Sequence, residues 1–174
     1  MAVNVKDIVR ELRSNADLDK AEVLKSFFKT AAGQYGAGDH FLGINVPTLR
    51  VVAKKYSELP LSKIEELLKN KTHEYRLVAL FILIAQFKKA DDKLRHKIYK
   101  FYLKNSQRVN NWDLVDLSAP NIVGEWLLQN PREILFKFAR SQNLWQKRIA
   151  IVATLAFIRK GRFHDTFKIA EILL

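Results

Sequence analysis

The stretch KIEELLKNKTHEYRLVALFILIAQF, residues 63–87, gives the strongest indication of the fold. Its first part places apolar side chains three and four residues apart, as one face of an amphipathic helix requires. A short polar turn follows, and the next run is apolar on nearly every side, which is typical of a buried helix. The stretch therefore predicts two helices joined by a tight turn, with the second helix in the core.

Two later stretches repeat this pattern. They are KIYKFYLKNSQRVNNWDLVDLSAPNIV, residues 97–123, and REILFKFARSQNLWQKRIAIVATLAFI, residues 132–158. Alignment of the three stretches places Arg76, Asp113 and Arg148 at equivalent positions, 37 and 35 residues apart. Helical solenoid repeats have this period, and one helix of each stacked pair lines a concave surface. We therefore predict an all-α fold: a right-handed α-solenoid of antiparallel HEAT-like or ARM-like helix pairs with a concave basic groove.

The rest of the chain fits one such domain over residues 1–174. Helical periodicity begins after residue 3, and four of the six glycines fall in one predicted loop, residues 33–43. Pro47 marks the first turn of a helix, and Ser62 with Glu65 predicts a capping box. The last segment, HDTFKIAEILL, ends inside an apolar helical pattern without a stop signal. We expect the chain to be truncated there, with at least one further repeat missing.

The charge balance points to a polyanionic partner. Thirty Lys and Arg residues against 18 Asp and Glu residues give a net charge of +12, with basic residues scattered over many helices. This distribution favours nucleic acid over a membrane surface. The most apolar run, residues 77–87, is too short to span a bilayer, and the first residues do not form a signal peptide. The default localisation is cytoplasmic.

Several kinds of site are disfavoured by composition. The chain has no cysteine, so it forms no disulfide and offers no thiol nucleophile. The four histidines lie far apart and show no metal-ligand spacing. We therefore predict neither a metal nor a cofactor.

The segment NNWDLVD, residues 110–116, contains the candidate chemistry. Trp112 and Asp116 are four residues apart, so on a helix their side chains project from one face, one turn apart. Asp113 lies about 100° around the helix and serves another surface. Two structural alternatives stay open: Asp116 as a packing carboxylate paired to a basic neighbour, and Trp112 as a core residue.

Three segments in the same order resemble the AlkD-type DNA alkylation repair enzymes, which are HEAT-like repeat DNA glycosylases. NNWDLVDLSAPNIVGEWLL is similar to the W-D-x-V-D segment of that family, and NLWQKRIAIVATLAFIR to its W-x-x-R segment. FLGINVPTLRVVAKKY is similar to its G-I-x-x-P-x-x-R segment. The resemblance runs from about residue 20 to the end of the chain.

The resemblance implies specific roles. Asp116 matches the family's catalytic carboxylate, Trp112 its active-site tryptophan and Arg148 its cleft arginine, while Tyr35 corresponds to a tyrosine of the cleft. A further aromatic residue of the family, nearer the C-terminus, has no counterpart. Basic residues at helix beginnings, Arg148, Lys147 and Arg76, are the predicted DNA phosphate contacts.

The implied function is base excision repair. A glycosylase of this type hydrolyses the N-glycosidic bond of cationic N3- or N7-alkylpurines in double-stranded DNA, as a monomer associated with the nucleoid. Asp116 and Trp112 would stabilise an oxocarbenium-like sugar as the bond breaks. The alternative is a HEAT-like scaffold that binds DNA or protein without catalysis, as solenoids commonly do.

Overall fold

The computed structural model describes residues 4–174 and is helical almost throughout. Apart from an isolated bridge between His40 and Thr72, these residues form no strand. Their α-helical segments are α1 (Val5–Ser14), α2 (Leu18–Phe27), α3 (Val46–Lys55), α4 (Leu61–Leu68), α5 (His73–Lys89), α6 (Asp92–Lys104), α7 (Trp112–Ala119), α8 (Glu125–Leu127), α9 (Glu133–Ala139), α10 (Leu144–Ala153), α11 (Leu155–Ile158) and α12 (His164–Leu173). The predicted all-α class and its helix pairs are confirmed.

The chain divides into two compact units. The N-terminal unit extends to Lys89 and contains α1–α5, and the C-terminal unit extends from Ala90 to Leu174 and contains α6–α12. The predicted single repeat domain and its missing further repeat stay predictions.

Helix α5 is the core of the N-terminal unit. Thirteen of its 17 residues are buried, as its apolar composition predicts, and α3 and α4 both pack against it. Near its end, the Gln86 side chain donates to the backbone carbonyls of Ser57 and Leu59, at 2.7 and 2.8 Å. The connection between α3 and α4 is thereby attached to the core helix.

Helix α1 covers this core with one amphipathic face. Val5, Ile8 and Leu12 are buried at three- and four-residue spacing. On its exposed side Glu11 accepts hydrogen bonds from Lys55 and from the Tyr56 hydroxyl, both at 2.7 Å. The bond from Lys55 contributes most to lowering the pKa of Glu11.

The helix starts confirm one sequence prediction and contradict another. Pro47 lies in the first turn of α3, where its fixed backbone angle and missing N–H cost nothing. The capping box at Ser62 is wrong, because α4 begins at Leu61 with Pro60 in the cap position and no side-chain cap. With Pro60 in the cap position, the helix begins two residues earlier than a cap at Ser62 would place it.

The C-terminal unit consists of helices packed around α10. Helices α7 and α9 both contact α10, and α6 packs against α8 and the widened turn Pro120–Gly124 that precedes it. Arg132 joins α12 to this assembly: its guanidinium pairs with Asp165 and lies 4.2 Å from the centroid of the Phe157 ring. The helices that carry the candidate chemistry, α7 and α10, are therefore packed directly together.

Candidate active site

The first two turns of α7 form the base of the site. Asn111 caps this helix, because its side-chain oxygen accepts a hydrogen bond from the backbone N–H of Trp112 at 2.8 Å. Asp116 follows Trp112 by one turn on the same face. Both side chains are partly exposed, whereas Leu114 and Val115 are buried. The ring and the carboxylate thus share a face that solvent reaches.

A buried polar contact holds the inward side of α7 against α6. The Tyr102 and Ser118 hydroxyl oxygens lie 2.8 Å apart, and the Ser118 hydroxyl donates to the Leu114 carbonyl at 2.5 Å. Because Ser118 uses its hydrogen on that carbonyl, Tyr102 is the donor in the first contact. Burial raises the pKa of Tyr102 well above its usual range, so the phenol keeps its proton. This contact holds α7 against α6 in one orientation.

A widened helical turn follows directly after α7. Pro120 has no N–H, so the carbonyl of Asp116, four residues earlier, loses its usual α-helical donor. The helix widens here into the π-helical turn Pro120–Gly124. The side-chain amide of Asn121 donates to the backbone carbonyl of Leu117 at 2.7 Å. Such turns occur frequently beside functional residues.

The same turn brings two backbones into contact. A Cβ atom on Gly124 would lie 2.3 Å from the Ala153 carbonyl oxygen and 2.7 Å from the Ala156 Cβ. Only glycine fits there, so the helical segment after α7 packs directly against the backbone of α10 and the Ala156 methyl group of α11.

Helix α10 begins with an equally defined cap. The Asn143 side chain accepts from the backbone N–H groups of Trp145 and Gln146, at 2.9 and 3.1 Å. The Gln146 side chain accepts from the Ser141 hydroxyl at 2.6 Å and donates to the Ser106 hydroxyl at 3.1 Å. These bonds fix the first turn of α10, which carries the basic residues of the site.

A two-pronged ion pair joins the two helices. Arg148 Nε donates to Asp116 Oδ1 at 2.8 Å, and Arg148 Nη2 donates to Oδ2 at 2.7 Å. Each side chain is 39% exposed. A pair this accessible contributes only about 0–1 kcal/mol to stability. Its main effect is on geometry, since a bidentate contact fixes the carboxylate in both position and plane.

Residues 8–174 match the sequence profile of the DNA alkylation repair enzymes. The chain belongs to this family. A solved structure of a predicted DNA alkylation repair enzyme from Enterococcus faecalis has the same fold, with a TM-score of 0.66 and 19% sequence identity. The match covers 89% of this chain and 72% of that one. No curated protein sequence is significantly similar to the chain.

Membership in the DNA alkylation repair enzyme family places the chain in DNA repair. This confirms the family and the repair role that the WDLVD and WQKR segments predict. In the structure these two segments supply the two partners of the ion pair, Asp116 and Arg148. The third segment, GINVPTLR, has structural roles: Gly43 has a φ of +78°, and the Arg50 guanidinium lies 4.4 Å from the centroid of the Phe81 ring.

Two predicted DNA contacts lie at the surface of their own units. Lys147 is partly exposed on α10, directly before Arg148 in the chain. Tyr35 is 36% exposed in the glycine-rich loop of the N-terminal unit. Their contact with DNA stays a prediction.

Arg76 corrects the expectation of a phosphate contact. Its side chain is 5% exposed, and Nη2 donates to Asp39 Oδ2 at 2.6 Å. The reason is that Arg76 lies on the buried helix α5, and the loop between α2 and α3 brings Asp39 over its first turn. An arginine buried against a carboxylate in this way does not present its guanidinium to DNA.

The other polar residues at the start of α5 hold the same loop. Glu74 Oε1 accepts from the backbone N–H groups of Leu42 and Gly43, both at 2.9 Å. The His73 ring stacks on Phe41 with centroids 4.7 Å apart. The run HEYR therefore anchors the glycine-rich loop, a role that its position in the repeat pattern does not reveal.

Three residues that shape the two ion pairs were missed from the sequence: Asp39, Tyr102 and Gln146. A basic residue inside the apolar stretch, residues 73–87, was a signal for a buried acidic partner, because unpaired buried charges are strongly unfavourable. Nothing in the pattern selects Asp39 among the acidic residues. Gln146 stands inside the WQKR segment, and its polar side chain was the available signal.

The described part of the chain contains neither a cluster of metal-binding side chains nor a helix that could span a membrane. In residues 4–174, no three His, Cys, Asp or Glu side chains are grouped as a metal site would need. None of the helices in that range has the length and hydropathy needed to cross a bilayer.

Proposed function

We propose that this chain is a DNA glycosylase that hydrolyses the N-glycosidic bond of cationic N3- and N7-alkylpurines in double-stranded DNA. The observation that carries the proposal is the pairing of Asp116 with Arg148, one helical turn from Trp112. It supplies an oriented, solvent-accessible carboxylate beside an aromatic side chain on one rigid face.

The chemistry needs little from the protein beyond this face. A purine alkylated at N3 or N7 carries a positive charge, so when the bond between C1′ and the base nitrogen breaks, the electron pair leaves with the base and neutralises it. No general acid is required. The positive charge that develops on the sugar is stabilised by the Asp116 carboxylate and by the face of Trp112.

Water completes the reaction. Its oxygen bonds to C1′ and its surplus proton passes to the Asp116 carboxylate, so the products are a neutral free base and an abasic sugar. A bidentate arginine keeps the carboxylate aimed while the charge develops, which limits the reorganisation that the transition state demands. Arg148 is therefore a positioning residue for Asp116, and with Lys147 it is also a proposed contact to DNA phosphates.

Release of free 7-methylguanine from methylated duplex DNA tests the proposal. The full chain and Asp116→Asn are compared in single-turnover reactions with enzyme in saturating excess. We expect the substitution to slow release by about 100-fold or more, equivalent to about 2.7 kcal/mol of transition-state stabilisation. Asparagine keeps the shape of the side chain and removes only its charge.

Asp113→Asn is the matched control. It makes the same charge change three residues away, about 60° around α7, where the side chain accepts from the Leu114 N–H at 2.8 Å, and we expect its rate to stay within about threefold of wild type. Equal rates for the Asp116 and Asp113 variants would remove Asp116 from the reaction.

A second substrate separates this mechanism from a pocket-based one. Selection by charge and bond lability predicts that hypoxanthine, a neutral base, is released far more slowly than 7-methylguanine. Comparable rates would contradict the proposal. If both variants and the wild type bind DNA without releasing any base, the chain acts as a binding scaffold, with the Asp116 pair as a structural contact.

A further inference from the structure

Helix α6 presents a single row of lysines. Lys93, Lys97, Lys100 and Lys104 follow one another at three- and four-residue spacing, so they share one helix face, and all four are exposed. We call this row the lysine stripe. The helix carries five basic residues and one acidic residue, Asp92, which lies about 100° around from the stripe.

The stripe faces away from the helix that carries the proposed active site. The opposite face of α6 is buried, with Ile98, Tyr99 and Tyr102 packed inward. Tyr102 contacts Ser118 on α7 through their hydroxyl groups. Because Tyr102 points toward α7, the lysines on the other side of α6 point away from it.

Two lysines on and directly after α4 are paired with carboxylates. Lys63 pairs with Glu66 at 2.9 Å, and Lys69, the residue after α4, pairs with Glu65 at 3.5 Å. Within the described part of the chain, the side chains of Lys93, Lys97 and Lys100 form no ion pair or hydrogen bond. Like charges at this spacing destabilise a helix, so the row is kept at a cost to folding.

Two acidic groups near α6, Asp91 and Glu133, have other contacts. Asp91 caps α6, accepting from the Leu94 N–H at 2.8 Å, and suits the positive end of the helix dipole. Glu133 lies on the side of Tyr99, whose pKa is raised by burial and then by that negative charge. Tyr99 belongs to the buried face, so Glu133 lies on the other side of α6 from Lys93, Lys97 and Lys100.

The helix under the stripe is held rigidly. The ring of His96 stacks on Trp126 at 5.3 Å between centroids and 11° between planes, and Tyr99 stacks on the same indole at 5.7 Å. These contacts fasten α6 to α8. The lysines are therefore presented from a fixed surface rather than from a mobile segment.

We propose that the lysine stripe is a second nucleic-acid surface, which binds the phosphodiester backbone independently of the Asp116 site. From Lys93 to Lys104 it extends roughly 16 Å along the helix axis, at about 1.5 Å per residue. One DNA strand places about five phosphates over that length, at roughly 3.4 Å each. A single-sign row without apolar anchors matches a backbone better than a folded protein, whose interfaces have an apolar centre.

A lysine stripe of this kind would let the protein bind DNA whether or not the DNA contains an alkylated base. A duplex segment on the stripe lies on the opposite side of α6 from α7, so the chain can bind one segment there while another occupies the proposed active site. Contacts of this kind carry no sequence information and depend strongly on salt.

The test is the salt dependence of binding to an undamaged duplex, measured by fluorescence anisotropy between about 50 and 300 mM salt. The variant is Lys93→Gln, Lys97→Gln and Lys100→Gln combined. Each lost phosphate contact should reduce the slope of log K against log salt by about 0.9, so we expect a decrease of about 2 to 3. At the low-salt end the affinity should fall at least tenfold.

The matched control is Lys25→Gln, Lys63→Gln and Lys69→Gln combined, which removes the same charge from lysines paired with glutamates. Its slope should change by less than about 1. Equal slopes for the two triple variants would overturn the proposal, because net charge would then explain the binding. The same holds if the stripe variant loses binding to phosphatidylserine vesicles or to an acidic peptide while its DNA binding stays intact.

A second measurement needs no substitution. Acetylation by an amine-reactive reagent, read by mass spectrometry, should slow at Lys93, Lys97 and Lys100 when duplex DNA is added and stay constant at Lys63. Unprotected stripe lysines in a saturated complex would also overturn the proposal. The stripe variant should keep the wild-type excision rate at saturating DNA, so this result is separate from the outcome for Asp116.

Discussion

Two arginine–aspartate pairs in this protein share a chemistry and differ in surroundings. Asp39 and Arg76 lie in the N-terminal unit with side chains 4% and 5% exposed. Asp116 and Arg148 lie in the C-terminal unit with side chains 39% exposed. Arg76 and Arg148 hold equivalent places in the repeat pattern, so equivalent position has produced an internal anchor in one unit and a surface group in the other.

Burial, more than residue type, distinguishes the two pairs. A buried pair is shielded from water, and losing one partner leaves an uncompensated charge. A half-exposed pair is screened and contributes little to folding, so its groups stay accessible to a substrate. Asp39 and Arg76 therefore hold the glycine-rich loop, whereas Asp116 and Arg148 stay accessible for the proposed reaction.

The largest expected effect is on stability, from Arg76→Ala. Removing this guanidinium leaves the buried Asp39 carboxylate without its closest cation, and we expect the free energy of unfolding to fall by about 3–5 kcal/mol. Arg148→Ala should cost less than about 1 kcal/mol. Urea unfolding followed by circular dichroism measures both.

Asp39→Asn together with Arg76→Met gives the control for this prediction. Replacing both charges leaves no unpaired ion, so the double variant should be more stable than Arg76→Ala. Similar losses for Arg76→Ala and Arg148→Ala would break the comparison, because burial would then not distinguish the pairs.

The next effect is on the reaction, from Arg148→Lys. Lysine keeps the positive charge and loses the planar fork that holds both carboxylate oxygens. We expect 7-methylguanine release at saturating DNA to slow by roughly tenfold, about 1.4 kcal/mol, with unfolding unchanged. An unchanged rate with weaker DNA binding would assign Arg148 to phosphate contact alone.

A smaller effect is expected on the pH dependence of stability, through the buried carboxyl group of Asp39. Burial acts to raise the pKa of Asp39, but hydrogen bonds from His73 and Arg76 outweigh it and hold the pKa below its ordinary value. A carboxyl with a lowered folded-state pKa adds stability above its unfolded pKa of about 3.9, and this is lost as pH falls through the folded value. The stability advantage of wild type over Asp39→Asn should therefore be full at pH 7 and shrink below about pH 4. Urea unfolding of both proteins across that range checks it, and a constant difference would contradict it.

Local spacing was enough to predict several features of the fold. The buried α5, the proline start of α3 and the shared face of Trp112 and Asp116 all follow from helical periodicity within a few residues. The family followed from three ordered segments. These features depend on neighbours along the chain, which a sequence displays directly.

Long-range partners could not be predicted in the same way. Asp39 reaches Arg76 only because a loop with positive φ at Gly33, Gly38 and Gly43 folds over the start of α5. The spacing of Asp116 and Arg148 along the chain does not predict that their side chains form an ion pair. The capping box at Ser62 failed for a local reason, since Pro60 competes for the same helix start.

Gly124 helps to determine the distance between the two helical segments of the proposed active site. At this point the backbone after α7 lies directly against the Ala153 carbonyl of α10. Backbone contact therefore limits how closely the segments that carry Asp116 and Arg148 approach each other. A single methyl group at residue 124 would have to push the helices apart, and displacements of about 1 Å at a reacting centre can cost on the order of 100-fold in rate. Glycine at residue 124 is therefore a requirement of this packing, unlike Gly161, where an added Cβ atom would meet nothing within 4 Å.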